Sequence, residues 1–269
     1  MKVLVAGSEI FVGQGGVDWA SGRETLVLQH GAGMDRTVWV LLARYFARHG
    51  FNVVCADLPA HGGSKGEALT SIESQAAFLW QLLDVLQADH GLPAGPAVLG
   101  GHSMGALIAA EAAGQQPART AQLLLFGSGY PMPVAQPLLD AAAANEQTAI
   151  DMIAIYSHCL KSQLGHNAIA GISVQNSAMA LLERCPPGVL HADLSACNAY
   201  EGLDKAAAAF GEGKTTLIVG DEDRMTPMKM SRNLAGQLGG QLVVLKDCGH
   251  MVMSEQPEQT LQAVRNALL

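Results

Sequence analysis

The five residues Gly101-His102-Ser103-Met104-Gly105 constrain the fold of this chain more than any other stretch. They form a G-x-S-x-G pattern, which is typical of a sharp turn that joins a strand to a helix and exposes a serine hydroxyl as a nucleophile. The short apolar run 96–99 precedes the pattern, and the alanine-rich segment 106–113, made of good helix formers, follows it. The sequence therefore predicts a buried strand, a tight turn that carries Ser103 and a helix.

The rest of the chain alternates between short apolar segments and longer segments with helical periodicity. The segments that predict strands are 26–29, 51–56, 97–99, 122–126, 216–220 and 241–245, and those that predict helices are 37–49, 71–89, 134–157 and 177–184. This alternation favours a mainly parallel sheet covered by helices on both faces. The amino-terminal segments 1–6 and 9–12 predict an antiparallel hairpin at one edge of that sheet.

Two further groups complete what a nucleophilic serine needs. A serine hydroxyl attacks only when a base takes its proton and an acid orients that base. His250 follows the predicted strand 241–245, and three acids, Asp221, Glu222 and Asp223, follow the predicted strand 216–220. The carboxyl ends of parallel strands meet at one edge of the sheet, where sites assemble. We therefore expect a Ser–acid–His triad, with the three acids as alternatives.

Four separated blocks, residues 29–33, 57–64, 101–105 and 220–227 with 249–250, together resemble the α/β-hydrolase superfamily. The resemblance is to its small, capped, single-domain serine hydrolases, which include esterases, lactonases, C–C bond hydrolases and cofactor-free haloperoxidases. It implies an α/β-hydrolase fold: a mainly parallel eight-stranded sheet, helices on both faces and an inserted helical cap. Residues 1–127 and 201–269 are then the core, and residues 128–200 are the cap.

The resemblance also implies roles for single residues. The family's Gly-x-x-Asp motif falls on residues 220–223, which makes Asp223 the triad acid, with Asp221 and Glu222 as rivals. The backbone N–H groups of Met104 and Ala32 are the expected oxyanion donors. The residues expected to contact substrate are Trp39, Met132, Tyr156 and Met251.

The function predicted from these residues is hydrolysis of a small, fairly apolar carboxylic ester or lactone through an acyl-enzyme on Ser103. Two alternatives use the same triad: a C–C bond hydrolase and a cofactor-free haloperoxidase or perhydrolase. A third is a protein that binds a small ligand on this fold without catalysis. The sequence favours catalysis over binding alone because all three triad candidates are present.

The amino-acid composition restricts the classes of partner that this chain can bind. The chain has 24 acidic and 16 basic side chains, a net charge of −8, which disfavours a nucleic-acid or anionic-membrane surface. The five cysteines are scattered and do not predict a disulfide framework. The sequence contains no His-x-His, His-x-x-x-His or Cys-x-x-Cys pair, so we expect no metal site, and we expect no cofactor. No apolar run approaches the ~18 residues of a membrane span. We expect a cytoplasmic protein whose partner is a small-molecule substrate.

Overall fold

The computed structural model describes residues 1–211 and 214–269. Eight strands in these residues form one sheet in the spatial order β1-β2-β4-β3-β5-β6-β7-β8. The strands are β1 Lys2–Val5, β2 Ser8–Gly13, β3 Glu24–Gln29, β4 Phe51–Ala56, β5 Ala97–His102, β6 Thr120–Phe126, β7 Lys214–Gly220 and β8 Gln241–Leu245. Strands β3 to β8 pair in parallel, whereas β1 and β2 pair with each other, and β2 with β4, in antiparallel fashion. The predicted mainly parallel sheet and its edge hairpin are confirmed.

Helices follow most of the strands, and the described residues hold twelve α-helices and two short 3₁₀ helices. The α-helices are α1 Val40–Arg48, α2 Ile72–Asp89, α3 Met104–Gln115, α4 Gln136–Ala143, α5 Gln147–Ser157, α6 Leu160–Gln163, α7 Val174–Leu182, α8 Val189–Ala199, α9 Leu203–Phe210, α10 Met228–Gln237, α11 Val252–Glu255 and α12 Pro257–Leu268. The 3₁₀ helices are Arg36–Trp39 and Pro117–Arg119. None of the helices in the described ranges is both long and apolar enough to cross a membrane.

The sheet is buried on both faces, which explains why its central strands read as continuous apolar runs. Successive residues of a strand point to opposite faces. In β3, Val27 joins the apolar layer beneath α2 and α3, while Leu26 and Leu28 join the layer beneath α1 and α12. Strand β6 divides its side chains in the same way, with Leu123 in the first layer and Leu124 in the second.

Six helices, α4 to α9, lie between β6 and β7 in the chain. The segment predicted as a cap, residues 128–200, contains α4 to α8, and α9 packs against α3 of the core. The boundaries of this cap stay a prediction. One local expectation is corrected: β5 continues to His102 rather than ending at Leu99, so Gly100 and Gly101 belong to the sheet. Gly100 lacks the side chain that would crowd Leu28 on β3.

Candidate active site

Ser103 occupies a strained turn between β5 and α3. Its backbone has φ 55° and ψ −116°, a conformation that costs a non-glycine residue about 1–3 kcal/mol. The turn is fixed from one side by the Ser103 N–H, which donates to the carbonyl of Phe126 at 3.0 Å. A Cβ on Gly101 would overlap the carbonyl of Gly105, so the first glycine of the motif is required by close backbone approach. This packing holds the Ser103 side chain at the carboxyl edge of the sheet.

His250 and Asp223 meet at the same edge, from the loops after β8 and β7. Nδ1 of His250 lies 2.8 Å from Oδ2 of Asp223, and both side chains are buried. The other carboxylate oxygen accepts the N–H groups of Met225 and Thr226 at 2.9 and 2.8 Å, and the Thr226 hydroxyl donates to Oδ2 at 2.7 Å. An ionised acceptor at Nδ1 keeps the proton on that nitrogen, so neutral His250 carries its free lone pair on Nε2.

The hydrogen bonds to Asp223 also set its charge. Burial by itself raises the pKa of this carboxyl, but His250 and the donors of Thr226 outweigh burial and hold the pKa below its ordinary value. Asp223 is therefore ionised at neutral pH. Asp221, one of its sequence rivals, instead accepts a hydrogen bond from the N–H of Cys248 at 3.4 Å and pairs with Lys246.

His102 connects the serine turn to the His250 loop. Its Nε2 donates to the carbonyl of His250 at 3.0 Å, and the two ring centroids are 4.7 Å apart. Burial, followed by the nearby His250, lowers the pKa of His102 to about 3, so its ring stays neutral. Within the described residues, Ser103 makes no hydrogen bond to His250. In active sites without substrate, a hydrogen bond between a serine and a histidine is often long and tightens only when substrate binds.

A turn of four residues, Gly31 to Met34, packs against Ser103. The Met34 N–H donates to the Gly31 carbonyl at 3.2 Å, and Gly33 has a φ of 65°, which favours glycine. A Cβ on Gly31 would lie 3.4 Å from the Cβ of Ser103, which shows how near the turn is. In the described part of the chain, the N–H groups of Ala32 and Met104 donate to no protein acceptor. Two backbone donors are thus left available beside the serine.

Sequence reasoning missed Glu255, a buried carboxylate that braces the His250 loop. Its Oε1 accepts the N–H groups of Gly249 and Met251 at 3.0 and 3.2 Å, and its Oε2 accepts the N–H of Cys159 at 2.9 Å. Only 1% of Glu255 is exposed. Nothing in its local sequence distinguishes it from an exposed helical glutamate, because its partners come from distant loops.

The four residues expected to contact substrate lie in different environments. Trp39 is fully buried and packs edge-on against Phe126, with 5.0 Å between ring centroids, and Met132 is buried in the core. Met251 lines a mainly apolar cleft of about 280 Å³ between α1 and α7. Tyr156 is exposed, and its ring lies 4.6 Å below the guanidinium carbon of Arg224. A role for these four in substrate binding stays a prediction.

Comparison with known proteins shows the family to which the chain belongs. The sequence model of the alpha/beta hydrolase family matches residues 26–263. The chain is 30% identical over 250 residues to a pimeloyl-[acyl-carrier protein] methyl ester esterase of Aromatoleum aromaticum, covering 88% of this chain and 94% of that one. It is 28% identical to a 2-hydroxy-6-oxononadienedioate/2-hydroxy-6-oxononatrienedioate hydrolase of Klebsiella pneumoniae, covering 93% and 89% of the two chains.

A solved structure of another protein has the same fold as this chain. The enol-lactonase from Burkholderia xenovorans LB400 superimposes with a TM-score of 0.83 over 100% of this chain and 99% of that one, at 18% identity. The match of the family model spans most of the chain, from β3 into α12. The chain therefore belongs to the alpha/beta hydrolase family. The two relatives named above, which have sequences similar to this chain, are hydrolases.

Proposed function

We propose that this protein is a serine hydrolase that cleaves a small, fairly apolar carboxylic ester or lactone. Ser103 attacks the substrate carbonyl while Nε2 of His250 takes its proton. His250 then passes that proton to the leaving oxygen, and Asp223 orients and stabilises the imidazolium. A water molecule, activated by the same histidine, releases the acid from the acyl-enzyme.

The observation that carries the proposal is the buried His250–Asp223 pair at 2.8 Å beside a serine on a strained turn. The pair leaves Nε2 as the basic nitrogen, which is the atom that a serine nucleophile requires. The N–H groups of Ala32 and Met104 have no other acceptor in the described residues, and both can donate to an oxyanion. The esterase relative and the enol-lactonase with the same fold support ester and lactone substrates.

A second candidate is hydrolysis of a C–C bond next to a ketone. The dienedioate hydrolase relative, which aligns over 93% of this chain, favours it. That reaction needs the same serine, histidine and oxyanion donors. The two candidates therefore differ in the bond that the site accepts rather than in the residues that act.

The test is release of p-nitrophenol from acetate, butyrate and octanoate esters by the wild type and Ser103→Ala, together with labelling by a fluorophosphonate. Turnover and labelling that both disappear in Ser103→Ala support the proposal. A wild type that is labelled but inactive on esters and lactones favours the C–C candidate, to be measured on a dienoic diketone. Esterase activity that survives in Ser103→Ala contradicts the proposed nucleophile.

A further inference from the structure

A buried carboxylate outside the candidate triad, that of Asp193, lies against the turn next to Ser103. Asp193 belongs to α8, and its Oδ2 accepts the N–H of Gly33 at 2.8 Å. The two residues are 160 positions apart in the chain. The Asp193 side chain is completely buried, so this contact is made across the packed boundary between α8 and the core.

His61, on the loop after β4, holds the same oxygen. Its Nε2 lies 2.8 Å from Oδ2 of Asp193, and its Nδ1 lies 2.9 Å from the carbonyl of Pro59. Both ring nitrogens face acceptors, an arrangement that favours the doubly protonated imidazolium. Burial by itself lowers the pKa of His61, but Asp193 outweighs burial and raises the pKa above its ordinary value, with a smaller contribution from Asp57.

Two carboxylates near this pair, Asp57 and Asp35, have basic partners of their own, Arg36 at 2.6 Å and Arg184 at 3.2 Å. The ring of His30 has its centroid 4.9 Å from that of His61, and burial and His61 together lower the pKa of His30 to about 3. Burial raises the pKa of the thiols of Cys185 and Cys197, on which Asp193 also acts. Among these three carboxylates, Asp193 is therefore the one that binds the turn, through the N–H of Gly33.

The atom that Asp193 binds belongs to the middle peptide of the turn from Gly31 to Met34. In such turns the middle peptide can face either of two ways, which distinguishes type I from type II. The positive φ of Gly33 is the type II arrangement, in which the Gly33 N–H points toward Asp193. Leu182 and Leu190 also pack against Gly33, where a Cβ would come within 3.0 Å of each. The helices α7 and α8 thus define the shape of this turn.

We propose that Asp193 is a positioning residue for the oxyanion hole. Its carboxylate, held by His61, fixes the Ala32–Gly33 peptide and so holds the Cα of Ala32 in place, which restrains the adjoining Gly31–Ala32 peptide that carries the Ala32 N–H. The oxyanion hole is then complete only when α8 is docked on the core, which couples the predicted cap to the chemistry at Ser103. This inference rests on the proposed function, since it assigns a task to the same site.

The experiment compares kcat and KM of the wild type with those of Asp193→Ala, Asp193→Asn and Ser195→Ala, on p-nitrophenyl butyrate and per fluorophosphonate-reactive Ser103. Ser195 is the matched control because it lies on α8 and is partly buried, and in the described part of the chain its hydroxyl has a hydrogen-bond partner only in His191. We expect kcat and kcat/KM of Asp193→Ala to fall together by ~10²-fold, the scale of a lost oxyanion donor. Asparagine retains an oxygen for the Gly33 N–H, so Asp193→Asn should recover most of that loss.

A readout that does not depend on activity accompanies the kinetics. In ¹H–¹⁵N spectra, the Gly33 amide signal should shift strongly in Asp193→Ala and little in Ser195→Ala. The ring protons of His61 should titrate at a higher pH in the wild type than in Asp193→Asn, because the asparagine carries no charge.

The outcomes separate this inference from the proposed function. A folded Asp193→Ala enzyme with the wild-type kcat overturns the positioning role even though the hydrolase is active. A wild type without turnover or labelling refutes the proposed function instead, and an unshifted Gly33 amide signal in Asp193→Ala then overturns the anchoring of the turn as well. If Asp193→Ala does not fold, Asp193→Leu, which has nearly the same shape but no acceptor for the Gly33 N–H, replaces it, and a folded Asp193→Leu enzyme with the wild-type kcat overturns the proposal.

Discussion

The carbonyl oxygen of Ser157 accepts the N–H of His250 at 2.8 Å. Ser157 is the last residue of α5, so the segment between β6 and β7 touches the histidine loop directly. The next loop residues, His158 and Cys159, lie at the same contact, where the N–H of Cys159 donates to Glu255. Through Ser157 on one side and Asp193 on the other, the predicted cap contacts both the His250 loop and the turn beside Ser103.

Asp223→Asn tests which of the three acids serves His250. An amide at this position loses the charge that stabilises the imidazolium and can face Nδ1 with its NH₂ group, so we expect kcat to fall by ~10⁴-fold. Asp221→Asn and Glu222→Gln are the matched controls, and both should retain activity within about tenfold of the wild type. Ester hydrolysis at saturating substrate measures the effect. A larger loss in either control than in Asp223→Asn would assign the acid differently.

Glu255→Gln tests the brace behind His250. The glutamine has a single acceptor oxygen, and its NH₂ group must face a backbone N–H, so one buried donor loses its partner. We expect a loss of about 1–3 kcal/mol in the free energy of unfolding. Because Gly249 and Met251 flank His250, kcat should fall as well. Urea unfolding and ester kinetics measure the two effects. Exposed Glu258→Gln is the control: it removes a charge from the first turn of α12, so it should lower stability by at most ~0.3–1 kcal/mol and leave kcat unchanged. Equal stability and equal kcat of the two variants would show that Glu255 does not stabilise the His250 loop.

Gly105→Ala tests whether the second glycine of the motif is required by space. A Cβ there would overlap the backbone oxygens of Gln29 and His30, and the strand cannot move away without leaving the sheet. We expect a loss of at least ~2 kcal/mol of stability. Gly236→Ala is the control, because that helical glycine has open space around it and the alanine should stabilise α10 by ~0.5–1 kcal/mol. We expect thermal unfolding to show a lower unfolding temperature for Gly105→Ala and a higher one for Gly236→Ala than for the wild type.

The pH dependence of stability tests the neutral state of His102. Its pKa is about 3 in the folded protein and ~6.5 in an unfolded chain. As the pH falls from 6.5 toward 3, the unfolded chain takes up a proton at His102 that the folded protein does not, so the folded state is progressively destabilised. Above pH 6.5, His102 is neutral in both states, so the folded state keeps its full stability with respect to this group.

The matched variant for this titration is His102→Gln, whose amide can still donate to the His250 carbonyl. Urea unfolding of both proteins between pH 7.5 and 4.5 should show the wild type losing stability relative to the variant as the pH falls. Curves that stay parallel over this range would show that His102 does not remain neutral in the folded state.

Local patterns in the sequence were enough to predict the frame of the molecule. Segments 51–56 and 241–245 are strands with the predicted bounds, because each is a short apolar run bounded by glycine or by polar residues. The helix predicted over 37–49 divides instead into a 3₁₀ turn, Arg36–Trp39, and α1. The side chain of Asp35 caps that 3₁₀ turn by accepting the N–H of Thr37. Hydrophobic periodicity does not separate the two elements, because a short 3₁₀ turn and the first turn of an α-helix have similar spacing of apolar residues.

The sequence by itself determined the family, the order of the strands along the chain and the turn at Ser103, since these follow from short-range patterns of glycine and apolar residues. Only the tertiary structure decided which carboxylate faces His250, and only it brought Asp193 to Gly33 and Glu255 to Cys159. These contacts join residues 27, 160 and 96 positions apart. Local propensity carries no information about such partners, because a buried charge finds its acceptor or donor only after the sheet and helices have packed.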